Sequence, residues 1–408
     1  MSDPVRDWAG SGVVALTGSP DGPPLLPPGR AATVARELTD RIAATTAGTA
    51  HPVVLDGARL LSERAALTGA RRAGQVSAGG SCRLLPTLDG WAAVSCARPG
   101  DPLLLGALVG QPLPADPWPA VAAWVRERPG AELAERAELL GVAATPVRTA
   151  PAAPAPLPRH PPRPVEGLLV VDFSALWAGP LAASLLGLAG ARVVKVEVPD
   201  RLDGARRGSA EFYRLLHAGH RAVLLDPATA RGRAAMAALV AVADVVIEGS
   251  RPRALAGFGL DADAAVAAGT TWVSLTAAGR ASGRIGFGDD VAAGAGLVAR
   301  AADGSPVFVG DAIADPLTGL TAAALAMTAP ADGSGVLWDV AMADVVAATL
   351  ADLPAGPSAA ARRDGDAWVL DTAHGVVPVE PPQLRTVEGQ APEPGADTAA
   401  VLAELGIA

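Results

Sequence analysis

From Gly167 onward the apolar residues fall into short continuous runs separated by amphipathic stretches. Leu168–Phe173, Arg192–Glu197, Asp244–Ile247 and Trp272–Leu275 read as strands, and Pro180–Leu188 and Thr229–Val242 as helices. Unbroken Val/Leu strands alternating with helices predict a parallel sheet covered on both faces, a doubly wound α/β arrangement. In such sheets ligands sit beyond the carboxyl ends of the strands, which marks Ser174–Gly179, Glu197–Gly208 and Glu248–Arg253 as the cleft.

The first half has a different rhythm. A short helix near Asp7 leads through a turn-rich stretch to a helix over Ala31–Ala44, a strand over His51–Leu55 and a second helix over Asp56–Leu67. Leu84–Ala97 carries an Asp-Gly turn between two short strands. Helices over Pro119–Arg126 and Ala131–Leu140 follow, then the segment Ala143–Val147. Pro and Ala dominate Arg148–Pro164, a semi-rigid linker. The expected organisation is residues 1–147 with a smaller α+β domain, a linker over 148–165, and an α/β domain over 166–408.

Composition sharpens this picture. Half of the 408 residues are hydrophobic but only 3% are aromatic, so the core must be built from Ala, Val and Leu. A net charge of -9 argues against nucleic acid or an anionic membrane as the main partner. Lys195 is the single lysine, and Cys82 and Cys96 make neither a disulfide framework nor a metal site, so a reducing, cytoplasmic setting is expected with no metal. Every long apolar stretch is broken within a membrane-spanning length.

Two stretches echo each other. Asp290–Gly310 parallels Asp7–Gly29, and Gly335–Ala351 parallels His51–Leu67, as though one unit were used twice. The copies differ where Pro28–Ala32 stands in the first and Asp311–Asp315 in the second. Asp315 and Pro316 follow the short apolar run Pro306–Val309 and the breaker Gly310, which predicts Asp315 as the cap of an Ala-rich helix. Helix dipole and free amides there would keep a carboxylate ionised, which suits a nucleophile as well as a plain cap.

Several separated motifs resemble the class III CoA-transferase family, which includes formyl-CoA and carnitine-CoA transferases and α-methylacyl-CoA racemases. They are Leu168–Ser174 with Ala178–Pro180, Val193–Glu197, His217–Asp226, Ala243–Glu248 with Arg251–Pro252, and Ala312–Asp315 with Thr318–Gly319. Leu84–Val94 and Ala122–Val147 resemble the family's smaller domain, placed here ahead of the nucleotide-type half. Almost no counterpart follows Ala351. The chain resembles a fused pair of copies, the first without its nucleotide-type half and the second without its small domain.

The resemblance implies CoA transfer between an acyl-CoA thioester and a small carboxylic acid, with Asp315 forming a mixed anhydride and then an aspartyl-CoA thioester. It implies coenzyme A contacts at Ala175, Leu176, Trp177, Ala178, Arg207, His220, Arg221, Ser250 and Arg251, and an interlocked homodimer. Gly79, Gly80 and Ser81 are candidate oxyanion donors, or a flexible hinge. Trp177 also reads as a packing residue, and His220–Arg221 as a solvated pair. A racemase of the same family would place a histidine beside Gly288–Asp290, where none stands, and a non-catalytic CoA-binding protein is the remaining alternative.

Overall fold

The computed structural model describes residues 3–150, 152–250, 252–351 and 356–407. The N-terminal segment forms α1 (Pro4–Gly10), α2 (Ala31–Thr46), α3 (Gly57–Leu60) and α4 (Glu63–Thr68). Next come β1 (Cys82–Pro86), β2 (Trp91–Ser95), α5 (Asp101–Val109), α6 (Trp118–Arg126), α7 (Gly130–Leu140) and β3 (Ala144–Pro146), a three-stranded antiparallel sheet backed by three helices. After the linker the alternation is β4 (Leu169–Asp172), α8 (Ala178–Leu188), β5 (Arg192–Glu197), α9 (Ala210–His217), β6 (Arg221–Leu224), α10 (Ala230–Ala241), β7 (Val245–Glu248), α11 (Pro252–Gly257), α12 (Ala262–Ala267) and β8 (Thr271–Thr276). Then follow α13 (Gly288–Gly294), the hairpin β9 (Val298–Arg300) and β10 (Pro306–Phe308), α14 (Ala314–Ala326), β11 (Val336–Ala341) and α15 (Met342–Ala347). The chain ends in β12 (Arg362–Asp364), β13 (Ala367–Thr372), β14 (Gly375–Pro378) and α16 (Thr398–Glu404).

The main sheet has six parallel strands in the order β11-β8-β7-β4-β5-β6, the doubly wound α/β architecture with a smaller α+β unit that the apolar runs predict. Period-two alternation sends Val170, Val193, Val245, Ile247, Val273 and Leu275 to one face and Val171, Val194, Val196, Val246 and Trp272 to the other. The first face is covered by α8 and α14 together with Trp8, Ala35, Leu38, Ile42 and Leu61 of the N-terminal segment, so one apolar core runs from both sides of the linker. α14 crosses α8 closely: a Cβ on Gly319 would lie 2.6 Å from the Ala178 carbonyl oxygen. Among the described residues no helix is long and apolar enough to cross a membrane.

His51–Leu55 carries no strand, contrary to the expectation from its apolar run. β11, whose segment echoes it in sequence, finds a ladder by pairing with β8, whereas among the described residues no strand pairs with His51–Leu55. The helix expected over Asp56–Leu67 is broken into α3 and α4. A small sheet, β12-β13-β14, also stands where the second copy was expected to have almost none. It packs on α1, just as the β2 and β3 sheet packs on α13, while α2 packs on α14. The N-terminal α1 is thus covered by the C-terminal small sheet, and α13 by the N-terminal one. The exchange is fixed by hydrogen bonds from Glu380 N–H to Ala9 O (2.9 Å), and from Ser95 Oγ to Asp290 (2.9 Å).

Candidate active site

Strand β10 delivers the chain to a tight loop. Gly310 (φ 67°) and Ala312 (φ 46°) both lie in the left-handed region, which costs a non-glycine residue about 1 kcal/mol. The surroundings fix that loop: Gly310 N–H donates to Thr17 Oγ1 (3.2 Å), Ala312 N–H to Asp289 Oδ1 (2.8 Å) and Asp315 N–H to Ala312 O (2.9 Å). Ile313 is the capping residue of α14, so Asp315 falls in the first turn and is not the cap that the sequence predicts. Asp289 likewise bonds the Ala312 amide instead of capping its own helix, whose cap is Phe287.

Because it is not a cap, the Asp315 carboxylate is left open: among the described residues no donor hydrogen-bonds it. Its Oδ2 lies over Gly288, where an added Cβ would approach to 2.6 Å and would also meet Ala312 O at 2.3 Å. Only glycine fits beneath it. Burial pushes the Asp315 carboxyl up to about 7; Arg64 pulls it down, and Asp289, Asp290 and Asp311 push it further up. The ionised state expected from the helix end is thus offset by burial among like charges. Burial and Asp311 likewise raise Asp289 to about 7. Asp290 is raised to about 6 by burial, against the Phe287 amide and the Ser95 hydroxyl.

The cation that hydrogen-bonds within this cluster is Arg64, which sequence reasoning missed because nothing in Glu63–Thr68 distinguishes it from a solvated helix residue. α4 lays its guanidinium across Asp311, with Nε to Oδ2 at 2.8 Å and Nη2 to Oδ1 at 2.5 Å, and over the Trp177 ring at 4.8 Å from the centroid. Gly79 lies against this pair, its Cβ position 3.5 Å from Arg64 Nη2 and 3.6 Å from Asp311 Oδ1. Gly80 (φ 78°) spends its N–H on Ser77 O (2.8 Å) and so is not a free oxyanion donor. The Gly79 and Ser81 amides donate to no acceptor among the described residues.

At the strand ends, the loops after β4, β5 and β7 converge. Ala175 and Leu176 are exposed, and the strained Leu176 (φ 73°) donates its N–H to Asp203 Oδ1 (3.0 Å). Gly204 brings Leu176 and the exposed Arg207 together, since its Cβ position lies 2.9 Å from Leu176 Cδ2 and 3.8 Å from Arg207 Nη2. Gly249 packs on Ser174, and the neighbouring Ser250 hydroxyl is buried with no hydrogen-bond partner among the described residues. The lone Lys195 lies beneath: it donates to Ser174 O and pairs with Asp203 Oδ2 (3.1 Å) and Asp172 Oδ2 (3.5 Å). Burial alone would discharge it, but these two carboxylates raise it and hold it charged.

Other expected CoA contacts take different places. Trp177 is buried with Arg64 on its face and Phe212 at its edge, and Ala178 is buried in the first turn of α8, so neither ring nor methyl is open to an adenine. His220 is buried against Gly187 and edge-on to His217, and burial pushes its imidazole well down, which leaves it neutral. Arg221 is tied to Glu404 and Asp397 of the tail, whose carboxylates the local motif could not reveal. Arg251 lies outside the described residues.

Residues 165–367 match the model of CoA-transferase family III. The chain is similar to succinate–glutarate CoA-transferase of Agrobacterium fabrum, with 30% identity over 213 residues covering 46% of this chain and 53% of that one. It is also similar to succinyl-CoA–D-citramalate CoA-transferase of Chloroflexus aurantiacus, with 28% identity over 210 residues covering 47% and 52%. A solved CaiB/BaiF family protein from Brucella suis aligns at 28% identity with TM-score 0.45, over 53% of this chain and 65% of that one. The chain spans about half the length of the curated relatives it matches.

Proposed function

We propose that this chain, whose residues 165–367 belong to CoA-transferase family III, transfers CoA between an acyl-CoA thioester and a small carboxylic acid at Asp315. The observation that carries the reading is the Asp315 carboxylate itself: it stands in the first turn of α14, its Oδ2 over the bare Gly288, and is bonded by no donor among the described residues. A carboxylate oxygen there attacks the thioester carbonyl carbon; the C–O bond forms, the C–S bond breaks, and CoA leaves as thiolate with a mixed anhydride on Asp315. The thiolate then attacks the aspartyl carbonyl, which releases the donor acid and leaves an aspartyl thioester. The acceptor carboxylate repeats these two steps in reverse, ending with a new acyl-CoA and a free Asp315.

The amides of Gly79 and Ser81 are the donors proposed for the developing oxyanions, with Gly80 shaping the loop by its positive φ. For CoA, exposed Leu176 with Ala175 offers an apolar platform, Arg207 an exposed cation for phosphate, and Ser250 an unpaired hydroxyl. The relatives named as succinate–glutarate and succinyl-CoA–D-citramalate CoA-transferases suggest dicarboxylic acids as the first acceptors to try. Incubation with acyl-CoA and hydroxylamine tests the reading: a hydroxamate at Asp315, absent in Asp315→Asn, is expected, and its absence in the intact protein refutes the transferase.

A second reading draws on one observation, that Asp289 and Asp315 meet at Ala312, Asp289 accepting from its N–H and Asp315 N–H donating to its oxygen, where burial raises both carboxyls to about 7. Two carboxyls so poised could exchange the proton α to a thioester. Deuterium incorporation into acyl-CoA without acyl transfer would favour it.

A further inference from the structure

The active carboxylate sits in an arrangement that ordinary site design would avoid. Asp311 from the β10–α14 loop, Asp315 from the first turn of α14, and Asp289 and Asp290 from the first turn of α13 bring four acids to one place, three of them deeply buried. Four negative charges in that volume cannot coexist without protons or cations. Asp290 is served by Phe287 N–H and Ser95 Oγ (2.9 Å each), and Arg284 lies in its field. Asp289 is served by the Ala312 amide. Asp311 takes the whole fork of Arg64. Among the described residues no donor is bonded to Asp315, and Arg64 is a positive group whose field acts on it.

Arg64 does not belong to the α/β domain. It comes from α4, and its guanidinium is held on three sides: by the two Asp311 oxygens, by the face of Trp177 at the head of α8, and by the Gly79 loop. A flexible lysine could not satisfy all three, because the planar fork is what matches Asp311 while its face lies on the indole. The charge is therefore fixed in place before any substrate binds.

We infer that Arg64 is a positioning residue for the Asp315 reaction: held by Asp311 and Trp177, it supplies the fixed positive charge that lets Asp315 act as an anion amid Asp289, Asp290 and Asp311. This rests on the proposed role of Asp315, and it adds that the N-terminal segment is part of the catalytic apparatus and not only a cover for the core.

The test reads the protonation of Asp315 directly. In the full-length protein, the carboxyl C=O stretch that disappears in Asp315→Asn is titrated by infrared spectroscopy in the wild type, Arg64→Gln and Arg64→Lys. Arg64→Gln is expected to move the midpoint upward by about one pH unit or more, so that the anion at neutral pH falls roughly fivefold, from about half of the molecules to about a tenth. Arg64→Lys, which keeps the charge without the fork, is expected to fall between. The acid limb of hydroxamate formation should move with the infrared midpoint. An unchanged midpoint in a folded Arg64→Gln overturns the inference; should that variant fail to fold, an unchanged midpoint in the neutral, similarly long Arg64→Met does so. A moved midpoint in a protein that forms no hydroxamate sustains the charge assignment and refutes the transferase reading instead.

Discussion

Replacing Asp315 by Asn should raise the stability of the protein, and should do so only above mildly acidic pH. The carboxyl is carried from its ordinary 3.8 to about 7 in the folded chain, chiefly by burial. A raised carboxyl means that the folded state binds more protons than the unfolded one between these two values, so its stability falls as pH rises through that window and is level above it. Three pH units correspond to roughly 4 kcal/mol for an isolated group. Asp315 is only half-buried and shares its field with Asp289, so about 2 kcal/mol is the reasonable expectation for the gain in Asp315→Asn near pH 8. The amide keeps the shape and removes the charge. In differential scanning calorimetry Asp315→Asn should melt a few degrees above wild type near pH 8, with the two curves converging toward pH 4. Equal melting at both pH values, or a less stable variant near pH 8, would refute the claim that the site stores unfavourable charge.

Other outcomes follow from the same geometry. Gly288→Ala should abolish hydroxamate formation while leaving most of the fold intact, because the new Cβ would occupy space 2.6 Å from Asp315 Oδ2; circular dichroism with the hydroxylamine assay checks both halves. The wild-type hydroxamate rate should rise across roughly pH 6 to 8 and level off above, following a carboxyl near 7 that reacts as its anion. Lys195→Met should cost on the order of 3–5 kcal/mol by urea unfolding, since it leaves Asp172 and Asp203 buried without their shared cation. Arg207→Ala should raise KM for acyl-CoA severalfold with kcat little changed if its exposed guanidinium meets a phosphate.

What the sequence makes legible is what rests on local periodicity. β5 over Arg192–Glu197 has the very bounds that its Val-rich run predicts, and α7 differs by one residue. What it hides depends on partners far along the chain. His51–Leu55 has the composition of a strand, and only the absence of a neighbouring sheet keeps it unpaired. His220–Arg221 has the look of a phosphate-binding pair, and the carboxylates that claim Arg221, Asp397 just before α16 and Glu404 at its end, lie more than a hundred and seventy residues away. The candidate site divides in the same way. The segment around Asp315 announces itself by a breaker, a proline and an Ala-rich helix, whereas Arg64 carries no local mark because its role is made by the packing of α4 against a loop some 250 residues later.

The crossed covering of α1 and α13 has a consequence for how the molecule is held together. A cut in the exposed stretch 153–159 would divide the chain into two pieces, one with α1, α2, α4 and β1–β3, the other with α13, α14 and β12–β14. Each piece would carry the small sheet on which the other's helix packs, so neither could leave without uncovering both. The two should stay clasped after proteolysis and keep Arg64 beside Asp315. Expressed apart and mixed, they should reassemble as complementing fragments. The connecting peptide would then serve as a tether that sets the concentration of one piece around the other, and the hold itself would lie in the clasp.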